Sequence, residues 1–277
     1  MNYRPQDYGT VVPMSDCLSL VQQAVAAAKA AGEGTVEFPY FGGGGYLVSD
    51  AIVVDFDNCT IVLDDNITLG KTASVSTQPF GLFRFIGVLS GNTHYLQNVQ
   101  LRGRRKVQLD CNGRNATGYT YVIGSPGDTV GVAFIGCTNA ICENIYAYNG
   151  LTGCISTSYC PGMLVRDCDV SDSQYDNGLY GFLNAEHIVA FDDNNPATWG
   201  NQRFIRIRAW NCRNHGVGSY GSVGMYVENP KIWNCGNNVP ITGTAGPAGC
   251  LGVEFDGTNY DRDHHFTATD VEMNGCY

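Results

Sequence analysis

Basic residues are scarce in this chain: 16 Lys and Arg stand against 26 Asp and Glu over 277 residues, a formal charge of −10. Binding to phosphate backbones draws on clustered Lys and Arg, so this balance excludes nucleic acid as a partner. The one basic run, Arg102-Gly-Arg104-Arg105-Lys106, is short and reads as a solvated rim beside a strand. No apolar segment follows Met1, where Asn2-Tyr3-Arg4-Pro5-Gln6-Asp7 is polar. The expectation is a protein made in the cytoplasm without a signal peptide and without membrane insertion. Cofactor motifs are lacking as well. Cys137 and Cys142 have no second pair to complete a zinc site, Asp192-Asp193 lacks calcium-loop spacing, and Gly42 to Gly45 lacks the Lys-Ser/Thr of a phosphate cradle. Neither a metal nor an organic cofactor is expected.

What the chain has in excess is glycine, 35 residues, and a recurring phrase. Asn139-Ala-Ile-Cys-Glu-Asn-Ile-Tyr-Ala-Tyr-Asn149 is echoed by the stretches Gly162 to Asp172, Gly224 to Asn234 and His265 to Asn274. Each is an alternating strand, a polar corner at Asn144, Asp167, Asn229 or Asp270, and a second short alternating strand. Asn144 to Asp167 is 23 residues, and Arg206 to Asn229 is again 23. That is the length of one coil of a parallel β-solenoid, and a single coil cannot bury its own apolar face, so coils must stack. Cys137, Cys212, Cys235 and Cys276 each follow a Gly or Asn, which suggests equivalent coil positions and mostly reduced, structural thiols.

The N-terminus has a different texture. Ser15-Asp16 can cap a helix from Cys17 to Ala31 that places Leu18, Val21, Ala24, Val25 and Ala28 on one face, and Gly32 stops it. Gly34-Thr-Val-Glu-Phe-Pro39 and Tyr46-Leu-Val follow as strands. Together with Asp7-Tyr-Gly9, this opening resembles that of the pectate-lyase-like, right-handed parallel β-helix superfamily, which includes polygalacturonases and bacteriophage tailspike depolymerases. The fold class expected is therefore all-β, a single-stranded right-handed parallel β-helix with an N-terminal amphipathic capping helix. Residues 1–45 would form the cap and opening strand, and 46–277 one continuous β-helix domain that can extend beyond 277 in the native protein. The resemblance also implies a polysaccharide as substrate.

The candidate chemistry lies between Asp172 and Asp256. Tyr175-Asp176-Asn-Gly178, Asp192-Asp193 and Asn214-His215-Gly-Val-Gly-Ser219 are similar, in order and spacing, to three polygalacturonase motifs. The resemblance matches Asp176, Asp192, Asp193 and His215 to catalytic positions. Hydrolysis needs one protonated carboxyl to donate to the leaving oxygen and one carboxylate to activate water or attack carbon, and clustered acids separate their own pKa values. Glu254 and Asp256 alternate with Val253 and Phe255 and could share these roles. Tyr180, Trp199, Trp210, Tyr220, Tyr226 and Trp233 could stack on sugar rings, and Trp199, in the loop expected from Asn194 to Asn201, is the best candidate among them. Arg203, Arg206 and Arg208 are expected to alternate on one face, where they could neutralise a uronate in a lyase, and Arg206 and Arg208 are candidate substrate-binding cations. The family's Arg-Ile-Lys motif has no counterpart here, so pectin itself is not implied.

Three functions stay open on these residues. They are a glycoside hydrolase acting on a bacterial surface glycan as a phage tailspike or receptor-binding depolymerase, a polysaccharide lyase, and a non-catalytic virion structural or adhesion β-helix. The resemblance further implies a homotrimer or a part of a larger virion assembly, acting at the virion or outside the cell.

Overall fold

The computed structural model describes residues 1–40, 45–64, 68–71, 81–87, 95–111, 130–173, 178–182, 195, 200–213, 215–220, 223–236, 251–254 and 266–276. Strands pair in parallel from coil to coil. A 15-stranded sheet is folded at a corner into two ribbons. The first ribbon carries Gly34–Phe38, Cys59–Leu63, the leading halves of Gln100–Asp110 and Ile141–Tyr148, Leu164–Arg166, Gln202–Ile205, Met225–Glu228 and Thr267–Thr269. The second ribbon carries Tyr46–Val48, Thr68–Lys71, the trailing halves of the two long strands, Asp169–Ser171, Arg208–Trp210, Lys231–Trp233 and Glu272–Asn274. A third, seven-stranded sheet runs Ile52–Val54, Phe83–Ile86, Val130–Ile135, Gly153–Ser158, Leu179–Phe182, Val217–Tyr220 and Leu251–Glu254. The chain visits first ribbon, second ribbon and third sheet in turn, which is a parallel β-helix with the right-handed crossover expected of parallel strands.

The corner between the two ribbons is a single residue in left-handed conformation. Asn144, Asp167, Arg206, Asn229 and Asp270 have φ of 59°, 54°, 52°, 51° and 52°. Asn and Asp tolerate this region better than other residues with a Cβ, which explains why a polar corner recurs in the sequence. A second column of left-handed corners, Asn149, Asp172, Asn211, Asn234 and Gly275, closes the second ribbon. Pairing of Glu143 with Arg166 and of Ile205 with Glu228 fixes both 23-residue coils.

The interior is filled by stacked identical rungs. Phe85 and Phe134 are register partners whose rings lie 4.4 Å apart and nearly parallel, and the column Val36, Ile61, Leu101, Cys142, Val165, Phe204 and Val227 is buried throughout. Ten cysteines are free and buried. Burial pushes the Cys59 and Cys154 thiols up to about 12, so they stay protonated and serve as small apolar fillers. Cys212 and Cys235 follow equivalent corners, as expected. Cys137 belongs elsewhere, beside Cys160 at the exit of the third sheet, and Cys276 is disulfide-bonded rather than free.

The helix spans Leu18–Ala30, and its buried residues are Val21, Ala24, Val25 and Ala28, a spacing that puts them on one face. They join the same core as Val36 and Ile52, so the helix covers the first coil. Asp16 secures its start by accepting the N–H groups of Leu18 and Ser49, each at 3.1 Å, and Gly32 turns the chain at φ 77°.

The basic run is not a free rim. Residues 103–106 bulge where the next coil has Asn144 alone, because Arg102 pairs with Glu143 and Val107 with Ile145. Arg102 then reaches Glu143 at 3.2 Å, Arg104 bonds Glu37, and Lys106 lies 2.8 Å from Asp169. Glu143 takes a second cation, Arg166, at 2.5 Å, and Glu37 a second, Arg4, at 2.7 Å. These acids are nearly buried and each is clasped by two cations, an arrangement that compensates their desolvation.

Candidate functional site

Two outer faces carry groups suited to a ligand. On the third sheet, alternation sends Ile155 and Thr157 inward and Ser156 and Ser158 outward. Register aligns Ser156, Tyr180, Gly218 and Gly252 in one row of Cα partners, and Ser158, Phe182, Tyr220 and Glu254 in the next but one. Tyr220 and Glu254 are direct partners on neighbouring strands. Tyr180, Tyr220 and Glu254 thus fall on the same face of one sheet by backbone position. Ser156 and Ser158 are buried although they leave the core, and the Ser156 hydroxyl has no hydrogen-bond partner.

His215 enters this face just ahead of Val217–Tyr220 and is 4% exposed. Its carbonyl accepts the N–H of Gly178 at 2.9 Å, so the coil that follows Asp176 is stacked on the coil that follows His215. Buried to this degree, the imidazole is suited to holding a neighbour in place rather than to touching a sugar. Asp176, Asp192, Asp193, Asp256 and Trp199 lie outside the described residues.

The arginines are placed differently from the sequence expectation. Arg206 sits in the left-handed corner itself, which separates Arg203 on the first ribbon from Arg208 on the second, so the three do not share one strand face. Arg206 donates from Nε and Nη2 to both oxygens of Asp167 at 2.7 Å. This pairing holds the Asp167 carboxyl below the usual carboxylate range. Arg208 grips Asp169, with Nε 2.8 Å from Oδ1, and Arg203 lies 3.4 Å from Glu228. Each is committed to a carboxylate of an adjacent coil.

Trp210 and Trp233, named from the sequence as stacking candidates, fall on a second face that the sequence did not assemble. On the second ribbon the outward column is Asp110, Tyr148, Ser171, Trp210, Trp233 and Asn274. Trp210 and Trp233 stack at 5.1 Å with planes 6° apart, Tyr146 lies 5.2 Å from Trp210, and Tyr146 is 5.0 Å from Tyr148. The small Ser171 lets Tyr146 and Trp210 meet across it, and its hydroxyl bridges the Tyr146 hydroxyl at 3.0 Å and Asp172 Oδ2 at 2.6 Å. Burial, followed by the charge of Asp110, pushes the Tyr148 phenol up to about 12, and burial raises Tyr146 also. Both remain neutral hydroxyls near pH 7. A signal for this strip was present in the sequence: counted four residues on from each corner, the coils read Tyr148, Ser171, Trp210 and Trp233.

Among the described residues no group of three His, Cys, Asp or Glu side chains is arranged to hold a metal, and no helix is long and apolar enough to cross a membrane.

No family model matches this chain, and no curated protein matches it. Solved structures do. The A-module of a mannuronan C-5 epimerase from Azotobacter vinelandii superimposes with a TM-score of 0.62 at 18% identity, over 84% of this chain and 58% of the module. A mutant tailspike protein of E. coli bacteriophage HK620, in complex with hexasaccharide, gives 0.58 at 15% identity over 98% of this chain and 51% of its own. PfbA, a surface adhesin of Streptococcus pneumoniae, gives 0.54 at 12% identity over 99% of this chain and 78% of its own. The fold is a right-handed parallel β-helix. An epimerase, a tailspike and an adhesin share that β-helix, so it identifies architecture and leaves chemistry to the site. This chain spans 58% of the epimerase module and about half of the tailspike.

Proposed function

We propose that this protein binds a polysaccharide across its third sheet and cleaves it as a glycoside hydrolase. The observation that carries the reading is coil length. The coil from Arg206 to Asn229, which holds His215 and Tyr220, has 23 residues, whereas the coils on either side, Asp167 to Arg206 and Asn229 to Asp270, have 39 and 41. Corners between the ribbons are unchanged in all three, so the additional residues enter between the second ribbon and the next first-ribbon strand, on the third-sheet side. In the sequence, Asp176, Asp192, Asp193 and Asp256 all belong to the long coils on either side of the one that holds His215 and Tyr220. In this reading Asp176, Asp192 and Asp193, with Glu254 or Asp256, supply the acid and the base, His215 positions one of them, and Tyr180, Tyr220 and Trp199 contact sugar rings.

A lyase would need a cation free to neutralise a uronate, and Arg203, Arg206 and Arg208 are ion-paired within the scaffold. Hydrolysis is therefore the better supported reaction. The glycan would be a bacterial surface polysaccharide and the protein a phage tailspike or receptor-binding depolymerase, acting at the virion or outside the cell as a homotrimer or part of a larger assembly.

Incubation of the full chain with a panel of bacterial capsular polysaccharides tests the reaction class. New reducing ends without ultraviolet-absorbing products support hydrolysis. Absorbing, unsaturated ends would establish a lyase, and retention of glycan without new ends would establish a binding protein.

A further inference from the structure

The aromatic strip of the second ribbon lies on a different sheet from the proposed cleft and plays no part in it. Its four rings, Tyr146, Tyr148, Trp210 and Trp233, are neither buried nor fully exposed, and they run along the helix axis over three coil steps of ~4.8 Å. Beside the column Tyr148, Ser171, Trp210, Trp233 runs the corner column Asn149, Asp172, Asn211, Asn234, one residue later in each coil. An apolar ring column and a polar column therefore repeat side by side with the same period.

Part of the polar column is already ordered: Asn149 Nδ2 donates to Asp110 Oδ1 at 3.0 Å, and Asn211 Nδ2 to Asp172 Oδ1 at 3.5 Å. The Asn149 Oδ1 acceptor is shielded from solvent and has no hydrogen-bond partner. A shielded acceptor without a donor costs free energy.

We propose that this strip is a second carbohydrate-binding surface, one that takes neutral or N-acetylated glycans and holds them without cleaving them. Pyranose rings match both columns, since their C–H faces lie on aromatic rings while their hydroxyls reach amides and carboxylates at the edge. Charge selects the class of sugar. The corner column holds one acid and no base, and the neighbouring outward cations are engaged, Arg208 with Asp169 and Lys231 with Glu272. A polyuronate would meet carboxylates without a cation to receive its own. The inference does not depend on the hydrolase reading, because a strip without catalytic acids binds whether or not the third sheet cleaves.

The test uses the full chain in native gels cast with neutral, N-acetylated or polyuronate polysaccharides, followed by fluorescence titration with oligosaccharides of whichever glycan retards it. The expected result is retardation by a neutral or N-acetylated glycan and none by polygalacturonate, with binding weakened about 10-fold or more in Trp210→Ala and Trp233→Ala. The chain has three tryptophans, Trp199, Trp210 and Trp233, so a Trp199→Phe variant reports from the strip alone. Persistence of the ligand-induced change in that variant is the result expected, and this readout stands even where an alanine variant fails to fold. Loss of the change with Trp199→Phe would confine binding to the third-sheet side and overturn the proposal. So would retardation by polygalacturonate, or by no neutral or N-acetylated glycan. Light scattering adds one more contrary outcome: a Trp210→Ala chain that changes mass but keeps its glycan affinity would make the strip an interface between copies.

Discussion

The corner between the two ribbons and the path through the third sheet impose opposite rules on the same coils. At the corner one left-handed residue turns the chain every time, from Asn144 to Asp270, and neither the 23-residue coils nor the 39- and 41-residue coils add anything there. On the third-sheet side, length is free to vary as long as the strands Leu179–Phe182, Val217–Tyr220 and Leu251–Glu254 return to register. A solenoid tolerates insertions only where they leave the stack, because a residue added inside a rung shifts every inward side chain beyond it to the outside. From Asn144 onward, beyond the bulge at 103–106, the corner edge is therefore held constant by backbone geometry, while the other is available for function.

The largest stability effect is expected where the constant edge is broken. Asn144→Val places a β-branched residue at φ 59° and removes the bond from Asn144 Nδ2 to the Gly103 carbonyl at 3.2 Å. The strained conformation and the lost bond together should cost about 2–4 kcal/mol in chemical denaturation, whereas Asn144→Gly should cost about 1 kcal/mol or less. Equal losses in the two variants would show that side-chain bonding, not backbone conformation, sets the corner.

A smaller effect is expected from the charge ladder. Glu143→Gln leaves Arg102 and Arg166 without their shared carboxylate, and since both guanidiniums keep access to solvent the loss should be about 1–2 kcal/mol. A change within error would mean that the clasped acids only balance their own desolvation.

The smallest effect concerns pH. Asp167 has its folded pKa lowered by Arg206, so its contribution is present above the unfolded carboxylate value of ~3.9 and is lost as pH falls through the folded value. Asp167→Asn should lower stability slightly near neutrality and converge on the parent chain as pH falls through the folded value, which flattens the acid limb of a stability–pH curve. A loss as large at pH 2 as at pH 7 would contradict the assignment.

How much of this was legible in the sequence follows the same division. Asn144, Asp167, Asn229 and Asp270 were readable as corners because a left-handed residue restricts side-chain choice, and alternation around them gave the strands. The helix was readable because Val21, Ala24, Val25 and Ala28 share a face. The clasped acids were not, since Glu37 meets Arg4 and Arg104 only through the stacking of coils, and nothing local in 102–106 announces a bulge. Arg203, Arg206 and Arg208 were placed on one strand because the corner at Arg206 carries a basic residue where other coils carry Asn or Asp. Trp210 and Trp233 were named singly as stacking candidates, but the strip was not, because its members are far apart in sequence and align only once the corners fix the register. Asp176, Asp192, Asp193 and Asp256, by contrast, rest on motif likeness in the part of the coil where geometry constrains sequence least.

The central claim is that the long coils flanking His215 carry the chemistry while the ribbons carry the fold. Its most direct test is the rate of reducing-end release from the cleaved capsular polysaccharide by Asp176→Asn, Asp192→Asn and Asp193→Asn, measured beside their thermal stability. The account predicts that at least one loses about 10²–10⁴ in rate with its midpoint unchanged, as the removal of a general acid or base should. Full activity in all three would contradict it, as would rate losses that merely track loss of fold.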